Sequence, residues 1–291
     1  MKAPPFRYHR PLTIAEAVGL LATLDNARVI AGGQSLMPMM NFRLTAPDHL
    51  IDLGGIAELA GITASEGTLR IGAMTTQRAL ERSELVARGC PLITAALRHV
   101  GHQQTRNRGT IGGSLCHLDP GAELPVAAAA LDAVLIAVGP AGTRRIPFAQ
   151  FPAGLLSNAL SPSELLARIE LPNIATRTGV AFLEFNRRPA DFAVVSVAAS
   201  LALDAAGRIA EAAIAVGGSF EAPLRLRGFE AASVGQRVEP ALFEAAAREA
   251  EALECAGDDV YPAEYRQELA GVLVNRALAA ALADVESHVD A

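Results

Sequence analysis

Two glycine pairs, each closed by a serine, are the residues of this sequence best suited to hold a charged ligand. The first is Ala31-Gly32-Gly33-Gln34-Ser35, and the second, about 80 residues later, is Thr110-Ile111-Gly112-Gly113-Ser114. A Gly-Gly pair leaving a strand reaches backbone conformations closed to other residues and leaves its amide groups uncovered. Successive uncovered N–H groups form a concave positive nest, and a following helix N-terminus adds its dipole, so a pyrophosphate can bind there without a lysine. Ser35 and Ser114 add hydroxyl donors. Two such turns could close on one dinucleotide from opposite sides. Taken singly, a glycine pair after a strand is more often ordinary turn chemistry. The chain also contains no GxGxxG, so the usual Rossmann fingerprint is absent.

What the sequence lacks narrows the chemistry further. Lys2 is the only lysine, which removes the Gly-Lys-Ser/Thr phosphate loop, the lysine Schiff base and the lysine general base. Cys90, Cys116 and Cys255 stand far apart with no CxxC pair, so any redox cofactor must be held without thiolates. His99 and His102 are three apart but have no third ligand nearby, and they read as polar helix-end residues rather than a metal pair. Asp258 and Asp259 read as a solvated turn. A net charge of -6 with scattered arginines excludes a nucleic-acid partner.

Around these residues the chain must build its frame. It has 291 residues, 51% of them hydrophobic, enough for two or three lobes with cores of their own. No apolar run approaches the ~18 residues of a membrane span. Lys2, Arg7 and Arg10 are followed by no apolar stretch, which predicts a cytoplasmic protein. Thr13 and Glu16 have capping-box spacing, and Ile14, Ala17, Val18, Leu21 and Leu24 then recur at helical intervals. The spacing predicts a short helix ending at Asp25 and Asn26. Residues 28–30 read as a strand entering the first glycine turn, and 36–40 as a short helix despite Pro38. Strand character returns at 49–52 and 68–71, and a helix over 91–100 runs into a polar stretch at 101–109, ahead of the second glycine turn.

The pattern changes from Gly179. Residues 192–203 and 208–217 are strand-like runs joined by Asp204-Ala205-Ala206-Gly207, the mark of an antiparallel hairpin. Helical stretches follow at 240–254 and 262–282. Strands followed by helices predict an α+β terminal lobe with the helices on one sheet face. A boundary falls where Pro, Asn and Thr cluster, at 172–178.

These segments also carry a resemblance. The run from Ala31 to Met40 resembles the first flavin motif of the medium subunits of carbon monoxide dehydrogenase and related molybdenum hydroxylases. Arg106-Asn107-Arg108-Gly109-Thr110-Ile111-Gly112-Gly113-Ser114, continued by His117-Leu118-Asp119-Pro120-Gly121-Ala122-Glu123-Leu124-Pro125, is similar to that family's central signature. So is Arg187-Arg188-Pro189-Ala190-Asp191-Phe192-Ala193. With the three in order, the resemblance covers nearly the whole chain. It implies an α+β fold: a two-lobed FAD-binding domain of the PCMH/vanillyl-alcohol-oxidase type, residues 1–55 and 56–175, then a C-terminal α+β domain of the CO dehydrogenase flavoprotein type, residues 176–291.

By the same resemblance, Ile30, Ala31, Gly32, Gly33, Gln34, Ser35 and Leu36, with Thr110, Ile111, Gly112, Gly113 and Ser114, line the FAD site, and backbone amides and hydroxyls meet the pyrophosphate. Glu123 would accept hydrogen bonds from ribitol or ribose hydroxyls, with Asp119 assisting. His102 and His117 would line the cleft, Leu166 would touch the flavin ring, and Phe192 would cover one ring face. The family pattern has Tyr at the Phe192 position, Gly before Asp191 and Ala where Leu118 stands. A Phe stacks on or blocks the ring but forms no hydrogen bond, a change that bears on oxygen reactivity and acceptor choice.

The resemblance implies partners as well: a large molybdopterin subunit and a small subunit with two 2Fe-2S clusters, assembled as a dimer of heterotrimers. This chain would pass their electrons through FAD to an external acceptor, in a complex that hydroxylates an N-heteroaromatic compound. A carbon monoxide or aldehyde dehydrogenase subunit, a self-contained flavin oxidoreductase and a non-catalytic assembly subunit are the alternatives.

Overall fold

The structure is a computed structural model that describes residues 2–174 and 177–289. Its first layer is a small parallel sheet built from β1 (Arg7–His9), β2 (Ala27–Ile30) and β3 (His49–Asp52), with β3 in the middle. Between β1 and β2 runs α1 (Ile14–Thr23), and between β2 and β3 the short α2 (Leu36–Asn41). The capping signal at the head of α1 acts in both directions. Thr13 Oγ1 accepts from the Glu16 amide at 3.2 Å, and the Glu16 carboxylate reaches back to the Leu12 amide at 2.8 Å. Ala17, Val18 and Leu21 of α1 then pack on Ile51, Leu53 and Ile56.

The second layer is a five-stranded antiparallel sheet in the order β4 (Ile62–Ser65), β5 (Thr68–Gly72), β10 (Leu165–Pro172), β6 (Val134–Gly139), β7 (Gly142–Pro147). Six helices lie between β5 and β6 in the chain: α3 (Gln77–Glu81), α4 (Glu84–Gly89), α5 (Pro91–Leu97), α6 (Gln103–Arg108), α7 (Ile111–His117) and α8 (Glu123–Ala130). A two-stranded ribbon, β8 (Pro152–Gly154) and β9 (Ser157–Asn158), precedes β10. Two elements depart from the sequence reading. The polar stretch expected at 101–109 holds helix α6, and the second glycine pair sits inside the first turn of α7 rather than in an open turn.

The third layer is an antiparallel sheet of β11 (Thr178–Asn186), β12 (Ala193–Leu203), β13 (Ile209–Gly217) and β14 (Leu224–Arg225). Its helices are α9 (Arg227–Ser233), α10 (Pro240–Glu251) and the long α11 (Ala263–Val289). The β12–β13 hairpin and the two last helices stand where the sequence places them. Alternation along β12 explains why it is buried on both faces. Val195, Val197, Ala199 and Leu201 face the helices, whereas Ala198 joins Phe182 and Ala215 in the core of the second layer. The junction expected at 175 and 176 lies outside the described residues. No helix among the described residues is long and apolar enough to cross a membrane.

One buried arginine ties the last two layers together. Arg225 on β14 pairs with Glu230 on α9, Nε to Oε1 at 2.7 Å and Nη2 to Oε2 at 2.9 Å, and both side chains are almost fully buried. Its Nη1 also donates to the Ala129 and Ala130 carbonyls in the last turn of α8, at 2.8 and 3.3 Å. Removing the arginine leaves the buried Glu230 carboxylate with only the half-exposed Arg227, Nη1 to Oε2 at 3.3 Å, as its cation. Arg225→Met should therefore lower stability by ~3–5 kcal/mol in urea titrations, and adding Glu230→Gln should recover part of that loss.

Candidate functional site

The loop between β2 and α2 presents a row of bare amides. Gly33 takes a left-handed conformation, φ +72°, which other residues rarely adopt. The N–H groups of Gly32, Gly33, Gln34 and Ser35 find no acceptor among the described residues. The loop braces itself by other atoms, with Gln34 Nε2 donating to the Gly32 carbonyl at 3.1 Å and Met37 N to the Gly33 carbonyl at 3.2 Å. Four consecutive donors on a half-exposed loop, flanked by Ile30 and Leu36, are the nest expected for an anion with several oxygens.

The second motif is built the opposite way. Ile111 N donates to Thr75 O at 3.1 Å, Gly112 N to Ala73 O at 2.9 Å, Gly113 N to Thr110 Oγ1 at 3.0 Å, and Ser114 N to Thr110 O at 3.1 Å. The open cradle expected at 111–114 is thus replaced by a helix start whose amides are engaged. Thr110 is its N-cap, and the Ser114 hydroxyl stays half-buried at the same end. Here the glycines serve close approach, since a Cβ on Gly112 would fall 2.6 Å from the Ala73 carbonyl oxygen.

The two motifs touch. A Cβ on Gly32 would lie 2.1 Å from the Arg108 carbonyl oxygen and 2.9 Å from Gly109 Cα, and one on Gly113 would lie 3.6 Å from Ala31 Cβ. The first loop therefore packs backbone to backbone against the segment that leads into α7. Arg106 holds the intervening chain in place, donating to the Val100 and Gly101 carbonyls at 2.8 and 3.0 Å and to Glu81 at 3.3 Å.

Beyond α7 the chain reverses at Leu118, a buried leucine in the left-handed region at φ +49°. His117 and Asp119 stand on either side of it, Nε2 and Oδ2 3.9 Å apart, and Asp119 Oδ1 accepts from Gly121 N at 3.0 Å. Glu123 opens α8 and is buried. Burial raises its carboxyl to about 8, with the charges of Glu184 and Asp119 adding to the rise and Arg106 opposing it. Phe192 is 63% exposed just before β12 and lies against Gly121, where an added Cβ would come 2.9 Å from the Phe192 Cβ. Leu166 is buried in the core beside a β-bulge of β10. His102 is exposed at the head of α6 and caps no amide there.

Three groups here carried no motif. Gln77 is buried against Gly109 and donates its backbone N–H to the Gly109 carbonyl at 2.8 Å. Glu184 and Ser196 are buried polar residues in otherwise apolar strands, and that break in the pattern was the one available signal. His99 does sit at a helix end, but its Nδ1 lies 3.3 Å from Glu184 Oε1 and its ring 5.5 Å from that of Phe182. No group of three metal-ligating side chains occurs among the described residues.

The family described as FAD binding domain in molybdopterin dehydrogenase matches residues 4–174, and the CO dehydrogenase flavoprotein C-terminal domain matches residues 180–281. The chain belongs to the FAD-binding medium subunits of the molybdenum hydroxylases. It is 36% identical to the 6-hydroxypseudooxynicotine dehydrogenase complex subunit alpha of Paenarthrobacter nicotinovorans, over 97% of this chain and 96% of that one. A solved carbon monoxide dehydrogenase chain of Hydrogenophaga pseudoflava superposes with a TM-score of 0.95 at 37% identity, covering 98% and 99% of the two chains. A chain of quinoline 2-oxidoreductase from Pseudomonas putida 86 gives 0.92 at 36%, covering 99% of both. In this medium subunit the bare amides and the buried carboxyl suit a dinucleotide, which offers phosphate oxygens to the first and hydroxyls to the second.

Gly32→Ala drives a Cβ into a backbone carbonyl that cannot rotate away. Overpacking of this kind costs ~1–3 kcal/mol, which should weaken FAD binding about ten- to a hundredfold in a fluorescence titration. The Glu123 carboxyl should give the flavin-free chain a second signature. Its native form favours the proton, so its stabilising effect is complete below the ordinary carboxylate range and is lost as pH rises to about 8. The urea midpoint of the flavin-free chain should fall across that interval, and Glu123→Gln should flatten the fall.

Proposed function

We propose that this chain carries electrons from iron-sulfur clusters of a partner through bound FAD to an external acceptor. The reading rests on one observation above the rest, the four amides at 32–35 without an acceptor among the described residues, on a loop packed against the segment that leads into α7. Those amides, with the Ser35 and Ser114 hydroxyls and the Thr110 turn, would hold the pyrophosphate. The Glu123 carboxyl, assisted by Asp119, would take the ribitol or ribose hydroxyls. Ile30, Leu36, His102 and His117 would line the cleft between a first lobe, residues 1–55, and a second, 56–175. Leu166 and Phe192 would meet the ring from the second lobe and from the C-terminal domain, 176–291. When bound, FAD supplies a carrier that accepts electrons singly and delivers one or two. The residues themselves bind, orient and screen it.

The absence of a CxxC pair and of a metal cluster among the described residues supports placing the other redox centres on partners. The partners would be a large molybdopterin subunit and a small 2Fe-2S subunit, in a dimer of heterotrimers. Free Cys90, Cys116 and Cys255 fit the reducing cytoplasm. An N-heteroaromatic compound is the substrate we favour for the complex, supported by the likeness to the quinoline and 6-hydroxypseudooxynicotine enzymes. Carbon monoxide is the second reading, favoured by the equally strong likeness to the Hydrogenophaga chain.

The purified chain should be yellow, with a flavin absorbance spectrum, and small heteroaromatic compounds should leave that spectrum unchanged. Coexpressed with the products of its neighbouring reading frames, the same flavin should bleach on addition of the substrate under anaerobic conditions. Bleaching of the isolated chain would instead make it a self-contained oxidoreductase, and a colourless chain that takes up no FAD would make it a scaffold.

A further inference from the structure

The peptide joining Arg108 to Gly109 is in close contact on two faces. Gly32 meets the first, where an added Cβ would come 2.1 Å from the Arg108 carbonyl oxygen and 2.9 Å from Gly109 Cα. Gln77, the first residue of α3, meets the second. The three atoms nearest to a Cβ added at Gly109 would be Gln77 Oε1 at 2.7 Å, Thr105 O at 3.0 Å and Gln77 Cδ at 3.1 Å, and none of them belongs to the first glycine loop. Gly109 Cα thus lies directly against the side-chain amide of Gln77, in space that a residue with a Cβ would need.

The main chain of Gln77 is anchored to the same segment. Its N–H donates to the Gly109 carbonyl at 2.8 Å, Ile111 N donates to Thr75 O at 3.1 Å, and Thr76 and Thr110 face each other as an isolated antiparallel bridge. At its other end α3 receives Arg106 of α6 on Glu81, Nη2 to Oε1 at 3.3 Å. The side chain of Gln77 is bound less well. The residue is 6% exposed, and its Oε1 is buried with no hydrogen-bond partner among the described residues. An unpaired carbonyl in such a place is costly to keep. What this oxygen gives Gly109 is contact rather than a bond, so the side chain acts there by its bulk.

We propose that Gln77 is a positioning residue for FAD: its side chain stops the 108–109 peptide from drawing back, and so sets where the amide-bearing loop at 32–35 comes to rest. The proposal rests on the reading of those amides as the cradle of the pyrophosphate. Gln77 acts through Gly109 and not on the nucleotide itself. In a close-packed interior a backbone contact yields only where there is room to yield into. With Gln77 in place the Arg108 carbonyl has no such room, and a side chain at position 32 must displace the loop that carries the donors. With Gln77 cut back, the peptide can withdraw into the vacated space and the loop can stay. Shortening Gln77 should therefore make position 32 more tolerant, a relation that a general loosening of the core does not produce.

The test is a double-mutant cycle on the full chain, read as FAD affinity in a fluorescence titration. Gln77→Ala alone should weaken FAD binding by about three- to tenfold, and Gly32→Ala, which costs about ten- to a hundredfold in the wild-type chain, should cost only about two- to fivefold in the Gln77→Ala background. Gln77→Met restores the length of the side chain without its amide, and it should bring back both the wild-type affinity and the full penalty of Gly32→Ala. Gln77→Asn, which draws the carbonyl back by one methylene, replaces Gln77→Ala in the cycle if that variant does not fold. A Gly32→Ala penalty of the same factor in the shortened background as in the wild type overturns the proposal, as does a Gln77→Met chain that behaves like the shortened one. Failure of the underlying reading shows by a different measurement: Gly32→Ala alone would leave FAD affinity unchanged, and the role of Gln77 toward the nucleotide would fall with it.

Discussion

Backbone packed on backbone at Gly32 is the contact on which the rest of the molecule depends. The glycine belongs to the parallel β1-β3-β2 layer, whereas the Arg108 carbonyl it presses against belongs to the helical insertion of the antiparallel layer. At that spot there is no room for any side chain, so the two layers meet at a distance set by main-chain atoms alone. This fixes where the bare amides of the first loop point relative to the head of α7, with none of the give that a packed side chain would introduce. Arg106 and Gln77 pin the segment on the far side of the contact.

The charged side chains mostly serve structure. Arg106 closes a loop through two carbonyls and Glu81, and Arg225 joins the C-terminal sheet to the end of α8. Arg70, Arg145 and Arg168 converge on Glu170 across the five-stranded sheet. Burial works against ionisation of that carboxyl, but the Arg145 and Arg168 guanidinium groups hold it below its ordinary value. The proposed nucleotide site would then have neutral backbone donors on one side and, on the other, a carboxyl whose proton is favoured by burial. An anionic ligand in that site would be received by backbone dipoles rather than by mobile charge, a preorganised arrangement that needs little rearrangement on binding.

Local signals were the legible part of the sequence. The Thr13–Glu16 box, the β12–β13 hairpin around Asp204 to Gly207 and the helices at α10 and α11 all arise from residues within a few positions of each other. The second glycine pair misled, because Gly112 and Gly113 read as a turn while tertiary acceptors at Ala73 and Thr75 draw them into a helix start. Helix α6 was hidden by its polarity, with no apolar stripe to betray it. The pairing of β10 with both β5 and β6 spans the whole helical insertion, and no local pattern encodes such a register. Glu184 facing Ser196 is invisible for the same reason, since their opposition exists only once β11 and β12 are zipped together.

The donors at 32–35 are main-chain atoms, and this has a consequence for how the site tolerates change. An N–H group survives replacement of the side chain above it, so variation at Gln34 or Ser35 would alter the loop's surface while the proposed grip on a ligand persists. Only proline, which has no N–H, deletes such a donor outright. Nor do amides titrate in the physiological range, so this end of the site is deaf to acidity even as the carboxyl at the head of α8 responds to it. If the proposed site is right, a change of pH would loosen or tighten such a ligand from one end only.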